Sequence, residues 1–238
     1  LGEKGACVKM VWNEQTIDWF DAASRYTGFH EKLAALLRPN ITPGGCMVDV
    51  GCGPGLIDFA LSPSVRAITC VDLNAEVVAQ VAARARARGI GNIEARCADA
   101  RALSGCWDDV LMVFFGRPDV DMARWLALCK NRVIAVVRMD ARHPGSNTLA
   151  RTCAALARAG IASTVTTHAF QYGQPFTTRE AAAAFVRLYE KCAPGESEAQ
   201  YLDRALVPLD QGPYRYYLPN LKRFGIITVG RKENEHLV

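Results

Sequence analysis

The sequence lacks the marks of several protein classes. It has no Cys-x-x-Cys pair and only four histidines, scattered at positions 30, 143, 168 and 236. A metal centre needs clustered ligands, so no metal site is expected. No apolar run approaches membrane-spanning length and no signal peptide is legible, which argues against a membrane partner and for the cytoplasm. No internal repeat or low-complexity tract occurs beyond the short alanine run 181–184. The formal charge is +4, from 28 basic and 24 acidic side chains, milder than the basic footprint of most nucleic-acid binders. The cysteines are nine, an odd number, and several sit inside apolar runs. Reduced, buried thiols in a cytosolic protein account for them best.

What is present is apolar mass and one glycine-rich stretch. Half of the 238 residues are hydrophobic, enough for one sizeable core, with room for an elaboration. Residues 46–58 read Cys-Met-Val-Asp-Val-Gly-Cys-Gly-Pro-Gly-Leu-Ile-Asp. An apolar run ends in three glycines at alternate positions, and apolar character resumes at Leu56. This pattern predicts a buried strand, a tight loop and a helix start. Glycine lets the backbone turn sharply and leaves room for a ligand, toward which the helix start presents free N–H groups.

On either side the chain alternates. Helical spacing is visible from Asn13 to Ala23 and from Phe29 to Leu37, so residues 1–42 read as an N-terminal helical cap. Strands are expected at 46–50, 66–71, 92–97, 109–115, 133–138 and 164–170, each largely apolar. Helices are expected over 75–88, 120–129 and 148–159, the last capped by Asn147. Strands alternating with such helices predict an α/β fold with a mostly parallel sheet, here a core over 43–170. Residues 171–220 interrupt the alternation with helices near 178–189 and 197–206, and read as a helical insertion. An aromatic stretch follows at 213–219. Residues 221–238 supply a last strand, 224–229, and a polar tail.

The ligand of the loop is open to two readings from the residues alone. A dinucleotide fingerprint needs its third glycine one position beyond Gly55, where Leu56 stands, which counts against a nicotinamide oxidoreductase. Asp49 just before the loop disfavours a pyrophosphate and suits a cationic ligand. The segment Val48-Asp49-Val50-Gly51-Cys52-Gly53-Pro54-Gly55 resembles the glycine-rich motif of class I S-adenosylmethionine (SAM)-dependent methyltransferases. Val71-Asp72-Leu73 resembles the acidic end of that family's second strand, and Cys97-Ala98-Asp99-Ala100 the loop after its third. The resemblance covers about residues 46–170, with 224–229 as the final strand. It implies a Rossmann-like sheet ordered 3-2-1-4-5-7-6 with the last strand antiparallel. It implies SAM as cofactor and S-adenosylhomocysteine (SAH) as product. The implied cofactor-binding residues are Tyr26, Asp49, Gly51, Cys52, Gly53, Gly55, Asp72, Leu73, Asp99, Ala100 and Phe115. Asp72 would take the ribose hydroxyls and Asp99 the adenine amino group. Bottom-up chemistry agrees for Asp72, since a carboxylate at a strand end accepts two hydrogen bonds from a vicinal diol.

The methyl acceptor is less legible. Strand four ends Val113-Phe114-Phe115-Gly116-Arg117-Pro118, without the Asn/Asp-Pro-Pro-aromatic motif of relatives that methylate nucleobase amines. No Pro-Cys pair supports a cysteine nucleophile, and Cys52 reads as a small filler. A hydroxyl acceptor needs a base. His143, after strand five, and His30, one helical turn from Tyr26, are the candidates, each weighed against an ordinary surface histidine. His168 reads as a strand residue. The arginines at 84, 86 and 88 do not share one helix face and read as solvated. A small-molecule acceptor is expected under a helical lid, with Tyr26, Phe29, Phe115, Tyr172, Tyr214, Tyr216 and Tyr217 as candidate pocket aromatics. The chain is expected as a monomer or homodimer. The alternatives are a transfer-RNA or protein methyltransferase, and a SAM-binding module without turnover.

Overall fold

The computed structural model describes residues 12–141 and 146–232. They fall into two compact units, one of residues 12–14, 30–141, 146–168 and 223–232, the other of 15–29 and 169–222. Along the chain the elements are α1 (Glu14–Thr27), α2 (Phe29–Leu37), β1 (Cys46–Val50), α3 (Leu56–Leu61), β2 (Ala67–Asp72), α4 (Ala75–Ala87), β3 (Ile93–Cys97), β4 (Trp107–Val113), α5 (Pro118–Ala127), β5 (Cys129–Arg138) and α6 (Leu149–Arg158). There follow β6 (Thr164–Gln171), β7 (Gln174–Phe176), α7 (Arg179–Leu188), α8 (Glu198–Ala205), β8 (Val207–Gln211), β9 (Tyr214–Leu218) and β10 (Leu221–Gly230).

The first unit is built on a seven-stranded sheet ordered β3-β2-β1-β4-β5-β10-β6. β1 pairs in parallel with β2 and β4, β2 with β3, and β4 with β5. β10 runs antiparallel to β5, with Ile227 opposite Ala135. Numbered by position in this sheet, the order is 3-2-1-4-5-7-6, as the family resemblance implies. The central strands are apolar on both faces, and alternate residues such as Val48, Val50, Val110, Met112, Val133 and Ala135 enter one core with Trp125 and Leu126 of α5. The edge strands depart from the expected apolar run. β3 exposes Glu94, Arg96 and Cys97, and β6 exposes most of Thr164–Ala169. An edge strand has one flank without a partner, and polar side chains there discourage pairing with another chain.

Local signals set the helix ends. Asn74 caps α4, its Oδ1 accepting from the N–H groups of Glu76 and Val77 at 3.0 Å each, and Gly89 at φ +65° turns the chain out of it. Pro118 sits in the first turn of α5, where its missing N–H costs nothing. At α6 the cap is Thr148, whose hydroxyl accepts from Arg151 N–H, rather than the expected Asn147. Asn147 instead accepts from the Thr152 hydroxyl at 2.7 Å.

The second unit gathers Trp19 of α1 with Phe176, Ala182, Val186, Leu202 and Leu218 into its own core. Besides α7 and α8 it holds an antiparallel three-stranded sheet, β7-β9-β8. The aromatic stretch at 213–219 is the middle strand of that sheet. Among the described residues no helix is long and apolar enough to cross a membrane.

Candidate cofactor site

The glycine loop leaves β1 and is fixed at once to β2, since the N–H groups of Gly51 and Cys52 both donate to the Val71 carbonyl, at 2.8 and 3.0 Å. Gly51, Gly53 and Gly55 all take left-handed φ values, +74°, +53° and +72°. A residue with a Cβ is strained there, and at Gly51 space forbids one as well, while at Gly53 and Gly55 it would be tight. A Cβ on Gly51 would lie 2.0 Å from the Phe115 ring, one on Gly53 3.0 Å from Trp12, and one on Gly55 3.0 Å from Val81 of α4. Each glycine thus admits a specific neighbour, Phe115, Trp12 or α4. Trp12 had no role in the sequence reading, because an aromatic next to a helix N-cap does not announce which loop it meets.

Phe115 reaches Gly51 through an unusual backbone. Phe114 has φ +54°, a left-handed conformation that a bulky residue seldom adopts. It is held there by its N–H donating to the Val136 carbonyl at 2.9 Å, by an edge contact with Phe224 and by the Arg138 guanidinium 5.3 Å from its ring centroid. The consequence is that Phe115 is presented beyond the end of β4, partly exposed, over the glycine loop.

Asp72 ends β2 and clasps the loop. Its Oδ2 accepts from Gly53 N–H at 3.0 Å and its Oδ1 from Asn74 N–H at 2.9 Å. Both oxygens are oriented by backbone donors, and each keeps a lone pair. Beside it Leu73 is 70% exposed, a large apolar surface left open at the strand end. The β2–β3 register places Asp72 opposite Cys97, and Ala98 N–H donates to the Asp72 carbonyl at 3.0 Å. Asp99 follows, exposed, with Oδ1 capping the turn Ala100–Ala102 through Arg101 N–H at 2.8 Å. Its second oxygen is not used by that cap. Ala100 is buried beneath. Residues predicted from three separate segments, Gly51 to Gly55, Asp72 with Leu73, and Asp99 with Ala100, are therefore brought to one edge of the sheet, where β1, β2 and β3 end.

Asp49 lies under the loop, 1% exposed, and it is not alone. Asp58 of α3 is fully buried beside it. None of their four oxygens has a well-formed hydrogen bond, and only the Cys70 thiol, the facing acid and the Asp58 backbone bear weakly on the Asp58 carboxyl. Burial, then the facing Asp58 carboxyl, pushes Asp49 well above the carboxylate range. Burial pushes Asp58 up to about 7. Cys52 and Cys70 adjoin the pair. The Cys52–Cys70 contact lowers the Cys52 thiol, yet burial and the nearby acids leave it raised overall, and that contact with burial raises Cys70 further. A thiol held protonated is a poor nucleophile, which fits Cys52 as a filler. Asp58 was missed in the sequence. The available signal was an acid inside the apolar run Leu56-Ile57-Asp58-Phe59-Ala60-Leu61.

The remaining candidates come from other segments of the chain. His143 falls outside the described residues. His30 is buried in the first turn of α2 rather than on a helix surface. His168 is in β6, its ring 3.0 Å from the Thr166 hydroxyl and stacked on Phe224. Tyr26 belongs to the second unit, packed at 6.0 Å edge-on to Tyr214 and 5.0 Å from Tyr217. Phe29 and Tyr172 form another cluster of that unit, 4.5 Å apart, with the Lys222 ammonium about equally far from both rings, at 5.0 and 4.9 Å.

A parallel sheet ordered 3-2-1-4-5-7-6, with an antiparallel seventh strand and a glycine loop where strands one and two end, is the fold of the class I SAM-dependent methyltransferase superfamily, and this chain has it. Residues 47–133 match the family model described as a methyltransferase domain, which spans the loop, Asp72 and Asp99. A search of curated proteins finds no match. Solved structures agree in fold. YcgJ from Bacillus subtilis aligns with TM-score 0.56 at 15% identity, over 84% of this chain and 98% of its own. Magnesium protoporphyrin IX methyltransferase (ChlM) from Synechocystis PCC 6803, solved with SAH, aligns at 0.52 and 12% identity, over 91% and 88%. Precorrin-6y C5,15-methyltransferase from Geobacter metallireducens GS-15 aligns at 0.51 and 12%, over 83% and 88%.

Proposed function

We propose that this chain is a SAM-dependent methyltransferase acting on a small molecule. The observation that carries the reading is Asp72, a carboxylate pinned to the glycine loop by Gly53 N–H and to α4 by Asn74 N–H. Its free lone pairs suit the two hydroxyls of a ribose, a charge-assisted pair of hydrogen bonds. Leu73 offers an apolar face to a base, Asp99 an acceptor for an exocyclic amine, and Ala100 a small flank. The buried acids Asp49 and Asp58 fit a cationic ligand better than a pyrophosphate. When bound, SAM supplies a methyl group on a sulfonium centre, ready for displacement by a nucleophile. The protein's part is then to hold donor and acceptor in line and to keep water out. Phe115, set over Gly51 by the strained Phe114, is the side chain that supports orientation at the donor's reactive end.

The small-molecule reading draws support from the surface charge. Arg96, Arg179, Arg204 and Arg215 are each engaged by a nearby acid, Glu94, Asp203, Glu196 and Asp210. Cations neutralised locally make a poor phosphate track. The described cysteines are free thiols, which supports a reducing compartment such as the cytoplasm. For an acceptor hydroxyl, His143 and His30 are the proposed bases.

Calorimetric titration with SAH, with NAD in parallel, tests the reading. SAH alone should bind. Replacing Asp72 with Ala should weaken SAH at least about tenfold, the value of one charged hydrogen bond. Unchanged affinity in that variant removes Asp72 from the site, and binding of NAD in place of SAH overturns the cofactor.

A further inference from the structure

Beneath the glycine loop lie two carboxyl groups that the reading above does not require together. Asp49 comes from β1 and Asp58 from α3, and both are sealed from solvent. A buried carboxylate is tolerated when hydrogen bonds or a cation compensate it. Here no cation and no well-formed hydrogen bond compensates any of the four oxygens, the Cys70 thiol and the Asp58 backbone bearing only weakly on Asp58. Among the described residues, the other titratable groups acting on the pair are the thiols of Cys52 in the loop and Cys70 on β2, and the carboxylate of Asp72 at the end of β2. All of them are acids. Two facing carboxyls without a cation cannot both ionise, and one proton between them supplies the donor that each otherwise lacks.

Resting on the proposed SAM reading, we propose that Asp49 and Asp58 share one proton in the free protein and release it to water when a cationic methyl donor binds above the loop. Asp58 is then a positioning and specificity residue. It acts on the ligand through Asp49 and through the charge of the pair. The donor carries a sulfonium cation, and the demethylated product does not. Opposite charges interact strongly where water is excluded, so the ionised pair favours donor over product and helps the product leave. The sign follows from linkage. A cation above the loop lowers the proton affinity of the pair, so donor affinity rises with pH through the free pair's titration, in which Asp58 gives up its proton at about 7 and Asp49 holds its own higher still. The product keeps the ammonium but lacks the sulfonium, so its affinity has the weaker dependence.

The test is the ratio of SAM to SAH dissociation constants from about pH 5.5 to about pH 8.5, in wild type and Asp58→Asn. Both ligands carry the same amino-acid end, so its titration cancels in the ratio. In wild type the ratio should shift toward SAM with rising pH, by up to about tenfold per unit wherever the free pair still holds the proton that the donor expels. In Asp58→Asn the shift should be clearly smaller. Parallel SAM and SAH profiles in wild type, or an undiminished shift in the variant, overturn the proposal while leaving the cofactor reading intact. Binding of neither ligand at any pH overturns both. A wild-type measurement serves if the variant fails to fold. Titrating SAM and SAH near pH 6.5 in two buffers of different ionisation enthalpy counts the protons released. More release with SAM than with SAH is expected, and equal counts overturn the proposal.

Discussion

At the scale of single residues, the buried acids set a stability profile that can be measured without any ligand. Asp58 holds its proton up to about 7 in the folded chain, against 3.8 for the free side chain, because burial penalises the charge. Between those values the native state binds more protons than the unfolded state. This contribution is therefore complete below 3.8 and is lost as pH rises through about 7. Asp108, held low by Cys46 N–H, and Asp119, held low by Arg117, work in the opposite sense, but only in acid. The difference between wild type and Asp58→Asn in urea unfolding between about pH 5 and pH 8 isolates the buried pair from Asp109, also raised by burial, and from the histidines. Asp58→Asn should raise stability at the upper end by about 1–3 kcal/mol, the cost of one poorly compensated buried polar group, and change little at the lower end. A variant that loses stability equally at both ends contradicts the shared proton. Gly51 supplies a second residue-scale prediction. Its Cβ would enter the Phe115 ring at a φ of +74°. Gly51→Ala should cost about 2–4 kcal/mol from strain and overpacking together. Gly51→Ala with Phe115→Ala should cost clearly less than the sum, because the second change removes the obstacle. Additive costs from urea unfolding would mean that the ring does not press on the loop.

At the scale of elements, the chain shows which signals carry from sequence to structure. Strands β1, β2, β4 and β5 were legible because a strand covered on both faces must be an apolar run, and turn residues bound it. The loop residues and Asp72 were legible because glycines at alternate positions and an acid at a strand end have few structural uses. β7 to β9 were not legible as a sheet. Their pairing is antiparallel and partly exposed, and Tyr214 to Leu218 reads equally as strand or aromatic core until its partners are known. Asp58 and Trp12 were missed for a related reason, since their meaning lies in a neighbour distant in sequence. Helix caps were legible only to within a residue, as Thr148 in place of Asn147 shows. The best-defined cap is at α8, where the Ser197 hydroxyl accepts from Gln200 N–H and the Gln200 side chain accepts from Ser197 N–H, at 3.3 and 2.9 Å. In an eight-residue helix this reciprocal pair is a large share of local stability. Ser197→Ala should cost about 1 kcal/mol and should speed hydrogen exchange in α8 before it affects the seven-stranded sheet.

At the scale of the whole molecule, charge separates the small-molecule reading from its closest competitor. An RNA substrate is held through phosphates, and its affinity falls steeply as salt releases counterions. A net charge of +4 on 238 residues gives little long-range pull. Arg88, at the end of α4, lies with its guanidinium 4.6 Å from the Phe59 ring centroid, and Arg96 of β3 is held by both oxygens of Glu94 at 2.8 Å. Turning these side chains toward a phosphate would cost the contacts they already make. SAH binding, governed by Asp72 and by apolar surface, should change less than about threefold between about 50 mM and 200 mM salt, within the Debye screening of exposed groups alone. Bulk transfer RNA should bind only in the nonspecific range, at about 1–100 μM, and the binding should fade over the same salt interval. Sub-micromolar transfer-RNA affinity that survives the higher salt would require a phosphate track, and would move the acceptor from small molecules to RNA while leaving the donor site unchanged.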